Sequence, residues 1–423
     1  MVSNETRVLL YSHDTVGLGH IRRNQAIACE LSRSVPNPNI LMVSGARQCM
    51  LYEIPSSVEF VTMPGLRKAT DGSYVARNSA LSTECALWMR SEVLLTVART
   101  FDPHVVIVDK VPRGVCGELE PALRMLRESG RARIVLGFRD ILDDAETVSR
   151  EWSRDNFDDA IEQFYDSVWV YGDPRVCDFA SEYHLPPSVS RKLEYLGYLD
   201  RNGLEGSSAG ELPASVTDAE SPMLCMVGGG EDGAQVALAF AQARYPAGST
   251  GIVLTGPYMS DEVRQQLQHF ARGRNDLQVL DFVSQPQALL ERASRVVAMG
   301  GYNSVCEILT HQKPALIVPR VSPRQEQLIR AQRMEQLGLL QMLHPSKLCP
   351  AAITSWLQKP VDHVPAEERI RLGGLDAVAC RVGQLAKSAA LPPARFPELS
   401  LASRMGGKSS VAHQCFRWRP NQS

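Results

Sequence analysis

Short apolar runs rich in β-branched residues alternate with longer stretches of helical pattern along nearly the whole chain. This alternation is typical of βαβ units, in which parallel strands form a sheet that helices cover. The strands predicted in the first half are 7–12, 39–44, 58–63, 105–109, 134–138 and 167–171. Those predicted in the second half are 223–227, 251–255, 277–281, 295–298 and 315–318. The pattern predicts an α/β protein that binds ligands at the carboxyl ends of its strands.

Chain length and a change of composition near mid-chain predict two domains. The 423 residues exceed what one ordinary hydrophobic core fills. Residues 200–221 are rich in Gly, Ser, Pro and Asp and lack apolar periodicity, as is typical of a linker. The sequence therefore predicts two Rossmann-like doubly wound domains facing a cleft, at 1–199 and 222–390. Residues 391–423, rich in Pro, Ser and Arg, are predicted to be a disordered tail.

Composition excludes several classes of protein. The net charge of −2 gives no general attraction to nucleic acid. No run of about 18 apolar residues is present, so no transmembrane segment is predicted. The N-terminus does not resemble a signal peptide, and the ten cysteines show neither CxxC pairs nor zinc-site spacing. We therefore expect a metal-free cytoplasmic protein with reduced thiols, in which peripheral contact with the inner membrane face remains open.

The first predicted strand leads into a Gly-x-Gly turn formed by Gly17 and Gly19. Such a turn brings the backbone close to a ligand and aims a helix N-terminus at negative charge. Arg22 replaces the third glycine of the dinucleotide fingerprint, so NAD is not expected. His20 is interpreted as a general base, the alternative being an ordinary polar residue of the first helical turn. Asp109, at the end of another strand, either orients His20 or caps a loop.

Two glycine-containing turns follow strands of the second half and are predicted to bind a diphosphate. Backbone N–H groups in such turns bind phosphate oxygens, and nearby polar side chains add donors. The residues concerned are Gly228, Gly229, Gly230, Gly300, Gly301, Asn303 and Ser304. A tight turn is the alternative for the first of them. Glu231 and Asp232 would repel a diphosphate, so we expect them to point away or to cap the helix.

Three polar residues of the second half suit the hydroxyl groups of a sugar. Glu307, one turn into a predicted helix, can accept hydrogen bonds from both hydroxyls of a ribose. The alternative is a capping box with the serine three residues earlier. Glu326 and Gln327 begin another helix and are predicted to hold the hydroxyls of a second sugar. Their alternative is a solvated helix N-terminus.

These segments resemble the GT-B glycosyltransferases, above all the group around the bacterial peptidoglycan N-acetylglucosaminyltransferase. The resemblance spans about 7–385 and rests on GLGHIRRN, VGGGEDGA, VLDFV, MGGYNSVCEIL, KPALIVPR and PRQEQLIRA. It implies an acceptor on the N-terminal domain and a UDP-sugar or other NDP-sugar on the C-terminal domain, with no metal and no cofactor. It further assigns the ribose to Glu307, the base to Phe282 and Val283, and the donor sugar to Glu326 and Gln327.

The resemblance favours an inverting, metal-independent transfer of a sugar to a hydroxyl acceptor, with His20 as the base. GLGHIRRN also resembles a turn of the hydrolase of pseudaminic acid synthesis, so hydrolysis of a UDP-sugar is a second hypothesis. A third is a non-catalytic nucleotide-sugar-binding protein. The acceptor is unknown, and a lipid-linked or cell-envelope saccharide is one class considered.

Two stretches of the first half are candidates for the acceptor side. One is the loop and helix at 64–100, with Arg67, Lys68, Arg77, Trp88 and Met89, which could also face a membrane. An ordinary amphipathic helix and loop is the alternative. The other is FRDILDDAE at 138–146, for which a helix cap is the alternative.

Overall fold

The structure is a computed structural model that describes residues 5–13, 19–46, 55–69, 73–78, 80–200, 221–281, 283, 287–360 and 364–389. This part of the chain contains two parallel sheets with helices packed against them, as the alternating pattern predicted. The 201–220 part of the predicted linker and the predicted tail at 391–423 lie outside the described residues.

The N-terminal sheet has seven strands in the order β3-β2-β1-β6-β7-β8-β9. Their bounds are β1 Thr6–Ser12, β2 Pro38–Ser44, β3 Val58–Thr62, β6 Val105–Asp109, β7 Arg133–Arg139, β8 Ser167–Tyr171 and β9 Leu193–Tyr195. A separate antiparallel hairpin pairs β4 Leu66–Lys68 with β5 Tyr74–Ala76. The strand order reverses between β1 and β6, so a crevice opens at their carboxyl ends.

The C-terminal sheet has six parallel strands in the order β12-β11-β10-β13-β14-β15. Their bounds are β10 Ser221–Met226, β11 Ser249–Leu254, β12 Leu277–Leu280, β13 Arg295–Ala298, β14 Ala315–Ile317 and β15 Gln341–Met342. Here the order reverses between β10 and β13, which places the turns after these two strands at the second crevice.

The described helices fill the connections between strands. In the first half they are α1 Gly19–Ser34, α2 Thr83–Phe101, α3 Glu120–Ser129, α4 Ala145–Arg154, α5 Phe157–Phe164, α6 Phe179–Glu182 and α7 Pro187–Ser190. In the second half they are α8 Ala234–Ala241, α9 Asp261–Arg272, α10 Gln287–Arg292, α11 Tyr302–Thr310, α12 Glu326–Gln336, α13 Pro350–Gln358 and α14 Gly374–Ser388. Short 3₁₀ turns cover Val115–Gly117, Pro345–Lys347 and Ala366–Glu368.

The last described helix, α14, packs on the N-terminal domain. The backbone N–H of Gly374 donates to the Tyr198 carbonyl at 2.9 Å, and Arg381 pairs with Glu194 at 2.6 Å. Val378 is buried, and the helix packs against α1 and β6 of that domain. The predicted C-terminal range 222–390 therefore does not pack as one unit, because its final helix buries its apolar face against the other domain.

Candidate active site

His20 and Asp109 meet at the carboxyl edge of the N-terminal sheet. His20 lies in the first turn of α1, and Asp109 is the last residue of β6, the neighbour of β1. His20 Nδ1 is 2.5 Å from Asp109 Oδ2. Arg23, one turn further along α1, donates to both carboxylate oxygens of Asp109 at 2.6 and 2.7 Å. The Asp109 carboxylate thus contacts His20 and Arg23, and its catalytic role stays a prediction.

The hydrogen bonds fix which nitrogen of His20 is left for a substrate. An ionised Asp109 only accepts hydrogen bonds, so His20 Nδ1 carries the proton of their short contact. Arg23 Nη2 lies 3.0 Å from the same nitrogen, but its donation goes to the nearer oxygens of Asp109. Nε2 of the neutral ring then holds the lone pair. A histidine held in this way can accept a proton from a hydroxyl.

Asp109 remains ionised although it is buried. Burial alone would raise the pKa of its carboxyl, but the Arg23 guanidinium and the hydrogen bonds from Arg23 and His20 outweigh burial and hold that pKa well below the usual range. His13 lies beside the pair, with its ring centre 4.6 Å from that of His20. Burial and the neighbouring His20 and Lys110 keep the pKa of His13 well below its ordinary value, so His13 is neutral.

The two glycine turns of the C-terminal domain lie at one edge of the sheet, because β10 and β13 are parallel neighbours. Gly228 and Gly301 have open space where a side chain would begin. Gly230 instead packs closely: a Cβ atom there would lie 2.4 Å from the Thr255 carbonyl oxygen. Gly300 similarly lies against the Gln327 backbone. Packing thus explains why Gly230 and Gly300 are glycines, whereas Gly228 and Gly301 leave open space beside the backbone.

Helices that begin at this crevice lack side-chain caps. The N-cap residues of α8, α11 and α12 are Gly233, Gly301 and Gln325, and none makes a capping hydrogen bond through its side chain. By contrast, Ser82 caps α2 and Ser260 caps α9. The first N–H groups of the crevice helices are therefore not capped by their own N-cap side chains, and groups of this kind bind anions in other proteins.

Glu307 is held by the opposite domain. Arg22 Nη2 of α1 donates to Glu307 Oε1 at 2.6 Å, and Asn303 Nδ2 donates to the Gly19 carbonyl at 3.1 Å. The capping box is wrong, because α11 begins at Tyr302 and Ser304 lies inside the helix. These two contacts bridge the gap between the domains, so a ribose at Glu307 has to displace Arg22.

Glu326 and Gln327 lie at the start of α12 and are buried. Arg320 Nη2 donates to Glu326 Oε1 at 2.6 Å, and the Arg320 backbone N–H donates to Gln327 Oε1 at 3.0 Å. Glu326 Oε2 is buried with no hydrogen-bond partner among the described residues. The interpretation as a solvated helix start is therefore wrong, and one carboxylate oxygen is left for a ligand.

The remaining predicted donor residues divide into described and undescribed ones. Val283 is partly buried against the core, and Ser304 is buried. Gly17 and Phe282 lie outside the described residues. Asp232 pairs with Arg320 at 2.8 Å, so its charge is compensated, as its position beside the glycines required.

Buried ion pairs join the two domains below the crevice. Arg330 of α12 donates to Asp140 at 2.6 and 2.8 Å, and both side chains are fully buried. Arg324 donates to Asp143 at 2.9 Å and also pairs with Glu151. The stretch 138–146, expected to line the acceptor side or cap a helix, does cap α4 through Asp144, but its other aspartates hold the domains together.

The other candidate acceptor surface is partly exposed. Trp88 is 65% exposed and Met89 38% exposed on α2. No described helix is long and apolar enough to cross a membrane. Within the described ranges, no group of three or more His, Cys, Asp or Glu side chains is arranged to hold a metal ion.

Solved structures with low sequence identity share this architecture. The glycosyltransferase of kitacinnamycin has a TM-score of 0.55 at 15% identity, covering 91% of this chain and 97% of that one. MurG from Acinetobacter baumannii has a TM-score of 0.53 at 15% identity, covering 90% and 99%. A UDP-glucose:anthocyanidin 3-O-glucosyltransferase solved with UDP has a TM-score of 0.56 at 13% identity, covering 92% and 95%. No curated protein matches the chain significantly in sequence.

Residues 224–369 match the glycosyltransferase family 28 C-terminal domain. The chain has the GT-B fold, and its C-terminal half is similar to the family 28 domain. The predicted fold class and the stated resemblance are confirmed, and the predicted enzyme class, a glycosyltransferase, is supported. The matched segment contains both glycine turns, Glu307, Glu326 and Gln327.

Several residues that shape the site of this GT-B protein were not assigned a role from the sequence. Arg23 carried a signal, since it completes a Gly-x-Gly-His-x-x-Arg pattern. The guanidinium carbons of Arg23 and Arg330 each lie 5.8 Å from the ring centre of Tyr302. Pattern alone could not show this contact, because it joins three segments that are distant in sequence.

Proposed function

We propose that this protein transfers a sugar from a UDP-sugar or another NDP-sugar to a hydroxyl group of an acceptor, with inversion and without a metal ion. The observation that carries the proposal is the position of the His20–Asp109 pair. The Asn303–Gly19 contact at 3.1 Å places it directly across the gap from the glycine turn that begins α11. A base and an anion-binding turn facing each other suit the attacking and leaving ends of one displacement.

In the proposed reaction, His20 Nε2 takes the proton of the acceptor hydroxyl. The hydroxyl oxygen forms a bond to the anomeric carbon while the bond from that carbon to the diphosphate oxygen breaks. The electron pair of the broken bond stays on the diphosphate, whose added charge the uncapped helix starts of α8 and α11 stabilise. Attack opposite to the leaving group inverts the anomeric centre. Asp109 stabilises the imidazolium that forms.

Donor binding would rearrange the bridge between the domains. Glu307 would exchange the guanidinium of Arg22 for the two ribose hydroxyls. Arg22 would then face the diphosphate, whose charge a guanidinium can neutralise. Glu326 Oε2, buried without a partner, would accept a hydroxyl of the donor sugar.

The test is a calorimetric titration of the purified protein with a panel of NDP-sugars. Bound donors are then incubated without acceptor, and product release is followed by ³¹P NMR. We expect one donor class to bind, with weaker binding in the isosteric Glu307→Gln variant. Slow release without acceptor and faster release with a hydroxyl acceptor would support a transferase. Rapid release of free sugar with water alone would favour the hydrolase, and failure of every NDP-sugar to bind would refute the proposal.

A further inference from the structure

Lys110 follows Asp109 at the carboxyl end of β6, beside the proposed base. Its φ angle of 69° lies in the left-handed region, which residues other than glycine rarely adopt. The Lys110 backbone N–H donates to the Gly137 carbonyl at 2.9 Å and so holds this conformation. Unfavourable backbone conformations of this kind tend to persist where function needs them.

The Lys110 side chain is partly buried, and its ammonium group has no hydrogen bond or ion pair with the described residues. Withdrawing part of a lysine from water without a partner for its charge is costly. Burial, followed by the charges of Arg139 and Arg324, lowers the pKa of Lys110 to about 8. Among the described residues, the ammonium therefore has no counter-ion.

Nearby carboxylates do not supply that counter-ion. Glu151 and Glu326 face Lys110 and favour its charge, but Glu151 is paired with Arg324 and Glu326 with Arg320. On the other side Lys110 faces His13, which is neutral.

Arg139 lies at the same edge, at the end of β7, the neighbour of β6. Its Nε and Nη2 donate to the carbonyls of Ile141 and Leu142 at 3.0 and 3.1 Å, which fixes the guanidinium. Its Nη2 also lies 3.8 Å from Glu326 Oε1 across the crevice, whereas its Nη1 makes no hydrogen bond to the described part of the chain. The fixed guanidinium of Arg139 therefore lies near the ammonium of Lys110, and neither Arg139 Nη1 nor Lys110 Nζ has a hydrogen-bond partner among the described residues.

We propose that Lys110 and Arg139 form an anion site that binds a carboxylate or phosphate group of the acceptor beside His20. This inference rests on the proposed function, because it takes the N-terminal domain as the acceptor side. An acidic group would supply the missing counter-ion and accept charge-assisted hydrogen bonds from both side chains. Both residues belong to the N-terminal domain, so the anion is assigned to the acceptor rather than to the donor.

Binding is tested directly with inorganic phosphate and with acetate as probes. Lysine labelled with ¹³C at Cε is titrated by NMR, and the Lys110 signal is assigned by its loss in Lys110→Arg. We expect either anion to raise the titration midpoint of Lys110 and to leave that of the exposed Lys347 unchanged. An unchanged Lys110 midpoint at tens of millimolar of both anions would overturn the site.

Substrate class is tested with paired acceptors that differ in one charge: methyl glucuronide against methyl glucoside, and glucose 6-phosphate against glucose. The ratio of kcat/KM for the acidic over the neutral acceptor is expected to fall roughly 10- to 100-fold in Lys110→Met, mainly through KM. Lys110→Arg keeps part of the preference, and Lys347→Met keeps all of it. An equal loss on both members of each pair contradicts the proposal.

An assay with two different donors shows whether the anion belongs to the donor or to the acceptor. If Lys110→Met alters the choice between UDP-glucuronate and UDP-glucose with a neutral acceptor, the anion belongs to the donor, and the assignment to the acceptor is wrong. The phosphate titration needs no donor. If phosphate shifts Lys110 while no NDP-sugar binds, the anion site stands and the proposed function fails.

Discussion

The two domains present opposite chemistry to each other across the crevice. The N-terminal edge carries titratable side chains, among them His20, Asp109 and Lys110. The C-terminal edge presents glycine turns and helix starts without side-chain caps. Proton transfer needs a side chain whose partners fix its tautomer, whereas a diphosphate is bound well by backbone N–H groups. Under the proposed function, activation of the acceptor and stabilisation of the leaving group are divided between the domains.

The largest effect is expected from His20→Ala. If the N-terminal edge supplies the base, this variant lowers kcat by roughly 10²- to 10⁴-fold, the usual contribution of general base catalysis. Donor affinity should stay near that of the unmodified protein, because the donor is bound by the other domain. Turnover assays and calorimetry measure the two quantities separately.

The control for this variant is His269→Ala, which removes an exposed histidine of α9. It should change neither quantity. Loss of donor binding in His20→Ala would contradict the proposed division of roles between the two domains, since it would place His20 in the donor site.

The next largest effect is expected at the contact between the two domains rather than in the reaction. Asp140 is fully buried with Arg330 and also accepts from the Tyr198 hydroxyl at 2.9 Å. Asp140→Asn leaves the Arg330 charge buried without its partner, which costs about 3–5 kcal/mol of unfolding free energy. Urea denaturation measures this loss.

An exposed pair provides the comparison for the buried one. Asp155→Asn removes a carboxylate bonded to Arg154 at 2.8 Å on the surface of the N-terminal domain. Pairs of this kind contribute about 0–1 kcal/mol. Equal destabilisation by the two substitutions would show that the Asp140–Arg330 pair does not hold the domains together.

The sequence predicted most of the fold because the central strands are buried on both faces. Such strands form continuous apolar runs, as in β6 and β8, whose residues are all buried. The strands β4, β5, β9 and β15 have only two or three residues, too few to show a period. The position of α14 was missed for another reason: its apolar face predicts a helix but does not indicate which domain it covers.

The candidate site was predictable where local pattern fixes geometry and not where distant segments meet. Gly19 and His20 follow a strand, so their place at the sheet edge follows from the βα turn. Glu307 also follows from its turn, but its bond to Arg22 joins residues 285 positions apart. The charges around Lys110 likewise come from segments distant in sequence, including Arg139 and Arg324, which no motif encodes.

Lys110→Met should stabilise the protein at neutral pH. The pKa of Lys110 is lowered to about 8, against about 10.4 in an unfolded chain. Between about pH 8 and about pH 10.4 the unfolded state binds more protons than the folded state. The loss of unfolding free energy caused by Lys110 is therefore complete below about pH 8 and disappears as the pH rises past about 10.4. Screening by solvent reduces the effect, so we expect Lys110→Met to raise the free energy of unfolding by about 1–2 kcal/mol at pH 7.

Urea denaturation at pH 7 and pH 10.5 checks this prediction. The advantage of Lys110→Met should shrink at the higher pH, while Lys347→Met should differ little from the unmodified protein at both. A destabilised Lys110→Met at pH 7 would mean that the ammonium has a protein partner, and the N-terminal edge would then lose its unpaired charge.

The smallest expected effect tests the C-terminal edge. Gly301 has open space around its Cα and an ordinary φ of −64°, so Gly301→Ala should fold normally. If the start of α11 binds a diphosphate, the added methyl group hinders approach to the backbone N–H groups and weakens donor binding roughly 3- to 10-fold, less than the contribution of one charge-assisted hydrogen bond. Gly273→Ala, at an equally open glycine that ends α9, is the matched control and should leave donor affinity unchanged. If calorimetry finds full donor affinity in Gly301→Ala, the glycine at this turn serves only the chain reversal, and the backbone at this edge is not the diphosphate site.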